Sequence, residues 1–311
     1  MSAVRWTMSA LSVLGVMLSA TTAHAFCRTF YCPTEDAQHE PCLLNAATGC
    51  YGGGSSGDKP LFWSQKCIGF ALNQTASKQV SFDVFKQTAV NALATWQDAA
   101  CASGKPSIEF HFLGAVSCDK QEYNSDQGNV NLFVFRDDQW PHDNGDTVLA
   151  LTTLTFDVDT GEIYDADMEL NSHDHNFTTT DDIALIDTDL RSVMTHESGH
   201  FIGLAHSPDE TATMFAKYEG KSTSMRDLAP DDIAAVCAVY PTDREVPACN
   251  PEPRHGFESA CASPAEDPKG CCTTAPGRAG REGASASLAM LAGLSIFVSR
   301  RARRSSRAPR S

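Results

Sequence analysis

The stretch that most constrains this chain is His196-Glu197-Ser198-Gly199-His200-Phe201-Ile202-Gly203-Leu204-Ala205-His206, which reads H-E-x-x-H-x-x-G-x-x-H. Residues four apart on a helix stand one turn apart on one face, so His196 and His200 can close on a single Zn²⁺ at roughly 2.0–2.1 Å. Glu197 stands beside the first of them, where its carboxylate can reach a water at the metal. Gly203 can take a positive φ, end the helix and swing the chain round, which returns His206 as a third ligand. Three protein ligands leave one tetrahedral position for water, and that marks a catalytic rather than a structural site. A bare H-E-x-x-H arises by chance in ordinary helices; Gly203 and His206 at the required spacing make chance a poor account.

Further residues extend the pattern. Ser207 directly follows the third His, and Met214-Phe215-Ala216-Lys217-Tyr218 begins eight residues beyond it. Asp231-Asp232-Ile233 and Val239-Tyr240-Pro241 follow. On these residues the chain resembles the metzincin zinc peptidases, and within them the matrixins, the matrix-metalloprotease type. Astacins carry a metal-binding Tyr two residues after the Met, where this chain has Ala216. The resemblance spans residues 59–241 and is most specific from His196 to Met214. It implies an α+β, metzincin-like catalytic domain: a twisted, mostly parallel sheet with an antiparallel edge strand, a long zinc-binding helix and a methionine turn. It also implies one catalytic Zn²⁺ on His196, His200 and His206, with Glu197 as general base. Met214 would form the floor of the site, and Tyr218 would wall the pocket for the residue after the cut bond. The expected function is endopeptidase hydrolysis of extracellular proteins or peptides. One rival is a non-proteolytic zinc-binding surface adhesin on the same fold, against which the intact Glu197 argues. Another is a disulfide-rich envelope protein with an accidental motif, which leaves Gly203, His206 and Met214 unexplained.

Composition sets the compartment. Residues 1–25 read as a secretory leader, with Arg5 near the start, an apolar run through Leu18 and Ala23-His24-Ala25 as a cleavage site. All 12 cysteines lie beyond it, which suits an oxidising, extracellular or cell-surface location. Cys27, Cys32, Cys42 and Cys50 cluster and are expected to staple a short non-helical segment, with connectivity open. A net charge of -15 excludes a nucleic-acid partner, which needs a basic footprint. Between Asp137 and Leu190 there are 15 acidic residues and no Lys or Arg. Matrixins bind structural Ca²⁺ in this part of their fold; a solvated acidic surface is the alternative for any one residue. The chain is expected to act as a monomer.

In order, residues 26–58 form a Cys-rich segment ending in a Gly/Ser linker, and 59–241 the catalytic domain. Within that domain, 67–72 reads as a strand. Residues 82–100 read as a helix capped by Ser81, with Phe82, Phe85, Ala89, Leu93 and Trp96 on its core face. Strand 107–112 lies between Cys101 and Cys118, which could pair across it, and 129–135 alternates as another strand. Residues 148–156 and 162–170 form a hairpin around Asp157-Val158-Asp159-Thr160-Gly161, read as a plain turn rather than a calcium loop. By the resemblance, 148–156 is the sheet edge to which a peptide substrate adds. The catalytic helix runs over 188–203, with caps among Asp187 to Asp189. Ala229-Pro230-Asp231 starts the final helix, with Asp231 and Asp232 in its first turn.

Matrixins hold a second zinc in a His- and Asp-rich loop. Here residues 137–146 contain one His, His142, so no second zinc is expected, and His173 and His175 read as loop residues. No Pro-Arg-Cys-Gly context precedes the domain, so an enzyme active once folded is expected. Residues 242–270 read as a Pro- and Cys-rich linker containing Cys249 and Cys261. Residues 271–311 hold a small-residue spacer, the apolar run 284–298 and Arg300, Arg301, Arg303 and Arg304. That tail resembles the C-terminal sorting signal of myxobacterial surface proteins; a simple membrane or envelope anchor stays equally open.

Overall fold

A computed structural model describes residues 26–33 and 42–259. The expected leader (1–25), the expected tail (271–311) and Cys261 lie outside them. Among the described residues, no helix is long and apolar enough to cross a membrane.

The domain is built on one mixed sheet with helices on one face. Strand β1 (Cys67–Asn73) is buried along its whole length, as a central strand of a covered sheet must be. Helix α1 (Phe82–Gln97) then leads to β2 (Glu109–Val116), β3 (Leu132–Phe135), β4 (Ala150–Phe156) and β5 (Ile163–Leu170). The spatial order is β2-β1-β3-β5-β4. β1 runs parallel to β2 and β3, and β3 parallel to β5; β4 is antiparallel to β5 and forms the edge. Side chains alternate across the pleat. Ile68, Phe70 and Leu72 face the main core with Phe85, Leu93 and Trp96 of α1, while Ala71 joins Val116, Leu132 and Val134 on the other side. The second long helix, α2 (Leu190–Phe201), packs beside α1, where Trp96 Nε1 donates to Thr195 O at 2.8 Å. Helix α3 (Pro230–Val239) closes the domain.

Several local expectations need correction. α1 stops at Gln97, and Ser81 makes no side-chain cap bond. Phe82 is half-buried, unlike the four buried positions at Phe85, Ala89, Leu93 and Trp96. Cys101 pairs with Cys237 rather than Cys118, tying the end of α1 to α3. The third strand starts at Leu132, and Asn131 just before it reaches across the sheet with its side chain. Its Nδ2 donates to Gly69 O at 2.7 Å, and its Oδ1 accepts from Ala166 N at 3.0 Å. The Asp157 loop, by contrast, is the local turn expected of it: the carboxylate accepts from Asp159 N, Thr160 N and the Tyr164 hydroxyl.

Both flanks of the domain are sewn to it. Cys27–Cys50 and Cys32–Cys42 staple the N-terminal segment, which pairs Cys27-Arg28 antiparallel with Leu204-Ala205. After α3 the chain returns through Cys67–Cys249, and Phe257 packs on the face of the sheet away from the helices. The Pro-rich stretch therefore lies along the sheet as far as Ser259 instead of hanging free; Asn129 holds it by donating to Arg254 O at 2.8 Å.

Candidate active site

α2 is fixed at its start by Asp189, whose Oδ2 accepts from Ser192 N at 2.8 Å and so satisfies one of the helix's orphan amides. Arg226 holds that same carboxylate with two bonds, at 2.8 and 2.6 Å. The Tyr218 hydroxyl accepts from Asp189 N and donates to Ser222 O. Tyr218 is 1% exposed, so it braces the helix start from inside.

The C-terminal half of α2 carries His196, Glu197 and His200 into the interior. Gly203 follows with φ +85°, and a Cβ there would lie 2.6 Å from Leu61 O, so turn and packing both require glycine. The turn brings His206 back to the other two. Ring centroids of the three imidazoles are 4.9, 5.3 and 5.1 Å apart, and their ligand atoms all lie within 4.8 Å of one another.

Their hydrogen bonds decide what this cluster can hold. His196 Nδ1 donates to Thr213 O at 2.6 Å and His200 Nδ1 to Leu204 O at 2.7 Å. A carbonyl can only accept, so both Nδ1 atoms carry the proton and both Nε2 atoms present lone pairs. These face each other at 3.2 Å. His206 Nε2 is buried with no partner. Burial pushes His196 down to about 4 and His200 down to about 3, and lowers His206 too, so the rings are neutral. Neutral lone pairs crowded together without a proton repel; a cation between them removes the conflict. Tetrahedral Zn²⁺ with 2.0–2.1 Å bonds needs N···N separations of about 3.3 Å, close to the 3.2 Å between the Nε2 atoms of His196 and His200. The trio therefore fits zinc. Among the described residues one other group of metal-ligating side chains converges, Cys67, Glu109, His111 and Cys249, and its cysteines are joined to each other.

Glu197 is 1% exposed. Its Oε2 accepts from the Thr152 hydroxyl at 2.7 Å, while Oε1 is buried without a partner. Burial pushes this carboxyl up to about 7, against the downward pull of Thr152; a cation at the imidazoles would draw it back down.

Beneath the histidines the chain runs from Ser207 to Met214, closed by Ser207 N donating to Met214 O at 2.8 Å. A Cβ on Gly199 would lie 2.2 Å from Met214 Sδ, so Met214 packs directly against the helix between His196 and His200. Asp232 fixes this loop by accepting from Thr213 N at 2.7 Å and Met214 N at 3.0 Å, besides capping α3 through Ala229 N. Asp231 accepts from Ser207 Oγ at 2.6 Å. Read from the chain alone, both acids were helix-start residues; they also clamp the loop whose Thr213 carbonyl orients His196.

Sequence reasoning missed Thr152, Gly199, Thr213 and Arg226. Nothing in the pattern singles out a threonine on a strand, and only Gly199 lay within the motif. Three other histidines weighed from the sequence are engaged elsewhere: His142 with Glu169 at 2.7 Å, His173 with Asp174 at 2.8 Å and His175 with Gly145 O at 2.8 Å.

Comparison with known proteins agrees with this geometry. The family model described as matrixin, peptidase M10, matches residues 62–241. Matrix metalloproteinase-C of Caenorhabditis elegans is 28% identical over 197 residues, covering 60% of this chain and 30% of that protein. Metalloendoproteinase 1-MMP of Arabidopsis thaliana is 33% identical over 95 residues, 30% of this chain and 25% of that protein. Human neutrophil collagenase is 46% identical over 48 residues, 15% of this chain and 10% of the relative. The chain thus spans less than a third of the length of these relatives.

Proposed function

Because the chain belongs to the matrixin family, we propose that it is a secreted or cell-surface zinc endopeptidase that hydrolyses internal peptide bonds of extracellular proteins. The observation that carries this reading is the convergence of three neutral imidazoles beside a buried carboxylate with one uncommitted oxygen. His196, His200 and His206 would hold the zinc. Bound there, Zn²⁺ supplies Lewis acidity, lowering the pKa of water towards about 7 and polarising the scissile carbonyl.

The chain's own groups do the rest. Glu197 accepts a proton from the attacking water at Oε1 and returns it to the leaving amine. Met214 supports the floor as the methionine turn, and Tyr218 stiffens the wall beside it. The substrate lies extended and antiparallel along β4, the sheet's edge, whose Thr152 touches Glu197. A module that only bound zinc would have no use for a buried carboxylate aimed this way. Structural Ca²⁺ in the acidic stretch belongs to the same proposal. Its support is Asp165, 2% exposed, with an Oδ1 that nothing satisfies. Added Ca²⁺ is expected to raise the melting temperature, and to do so less in Asp165→Asn.

The test compares purified protein with Glu197→Ala, by zinc content and by cleavage of casein. About one zinc per chain is expected in both. Cleavage should fall at least ~100-fold in the variant and vanish in chelator. Casein cleavage that survives chelator would end the proposal.

A further inference from the structure

Thr152 sits at the middle of β4, 7% exposed, opposite Met168 of β5. Its hydroxyl lies 2.7 Å from Glu197 Oε2 and 3.3 Å from Glu197 O. One hydroxyl has one proton, and the charged acceptor at the shorter distance takes it. The two oxygens of Glu197 are thereby made different: Oε2 is held by the strand, and Oε1 has no partner. Without the hydroxyl, nothing among the described groups would fix the carboxylate's rotation about its last bond.

We propose that Thr152 is a positioning residue for the general base: its hydroxyl holds Glu197 Oε2 so that Oε1 alone presents to the water and the leaving amine. The inference rests on the reading of Glu197 as general base. It links the two halves of the site, because Thr152 belongs to the strand along which substrate would lie while its side chain governs the base on α2. A substrate pairing with β4 uses that strand's backbone, whereas the Thr152 hydroxyl turns inward to Glu197. Side-chain changes at this position should therefore alter turnover and leave substrate binding alone.

Thr152→Val keeps the branched shape and removes the hydroxyl; Thr152→Ser keeps the hydroxyl. In Thr152→Val, kcat on a peptide substrate should fall about 10–100-fold, the usual loss when a partner that orients a working group is removed, with KM within about twofold. Thr152→Ser should recover most of that loss. Added to Glu197→Ala, Thr152→Val should lower the residual rate no further, because a residue acting through another shows no effect once that other is gone.

A readout independent of turnover comes from calorimetric binding of acetohydroxamate, which chelates zinc and offers a proton donor to the base. It should weaken alike in Thr152→Val and Glu197→Ala, and no more in the double variant, with about one zinc per chain throughout. Zinc-loaded wild type that fails to cleave would overturn the endopeptidase reading itself. Cleaving wild type with Thr152→Val unchanged in kcat, unrescued by Ser, or additive with Glu197→Ala would overturn the role of Thr152 alone.

Discussion

Asp165 and Asp167 are buried on one face of β5, 2% and 1% exposed, and only Asp167 is supported, by Leu132 N at 2.8 Å. Burial raises both carboxyls well above the ordinary range. A carboxyl whose folded pKa is raised binds its proton more tightly folded than unfolded. Its effect is to lower stability as pH climbs from the unfolded value of about 3.9 through the folded one. In chelated protein, Asp165→Asn should therefore melt higher than wild type at pH 7.5. The rise should be roughly 2–10 °C, from ~1–3 kcal/mol for an unsatisfied buried group. The difference should close as pH is lowered towards 4. Melting curves that coincide at pH 7.5 would show that Asp165 finds a partner. At this scale the sequence was informative where chemistry depends on residue type at fixed spacing, as at His196, Glu197, His200 and His206. It was silent on Thr152, because a hydroxyl's meaning depends on which strand ends beside which helix.

The loop from Ser207 to Met214 has no regular structure of its own and takes its shape from α3. Asp232 holds the amides of Thr213 and Met214, and through Thr213 O it sets the ring of His196. Asp232→Ala would leave the two buried N–H groups of Thr213 and Met214 unsatisfied, each worth about 1–3 kcal/mol, and would uncap Ala229 N, so some local rearrangement must follow. The expected result is zinc affinity reduced about 10–100-fold in a competitive chelator titration, the range seen when groups orienting a ligand are lost. Unchanged affinity would mean that His196 is held by its helix alone. The helices themselves were legible: Asp189 does cap α2, and Pro230 with Asp231 and Asp232 opens α3. Their ends were less so. α1 stops short of Ala100, where Gln97 Oε1 accepts from Phe110 N of β2 and Cys101 is tied to Cys237, and β3 starts late at Leu132; partners that distant leave no mark on the local pattern.

As a whole, the molecule is held by bridges that join its distant parts. Cys101–Cys237 spans 136 residues and Cys67–Cys249 spans 182. Removing the first by Cys101→Ser with Cys237→Ser should cost about 2–5 kcal/mol. Scanning calorimetry should then show a melting temperature lower by roughly 5–20 °C. A smaller loss would mean that α1 and α3 are already fixed by the core. From its sequence alone the chain determined the metal-binding motif, the sheet's strands to within a few residues, and the stapled N-terminal cysteines. Each follows from local spacing, propensity or residue type. Only the tertiary structure decided which cysteines meet, that residues 27–28 pair beside Gly203, that the Pro-rich stretch covers the sheet, and that Thr152 meets Glu197. Those contacts join positions tens to hundreds of residues apart, and no local pattern encodes a contact whose two halves are brought together by the rest of the fold.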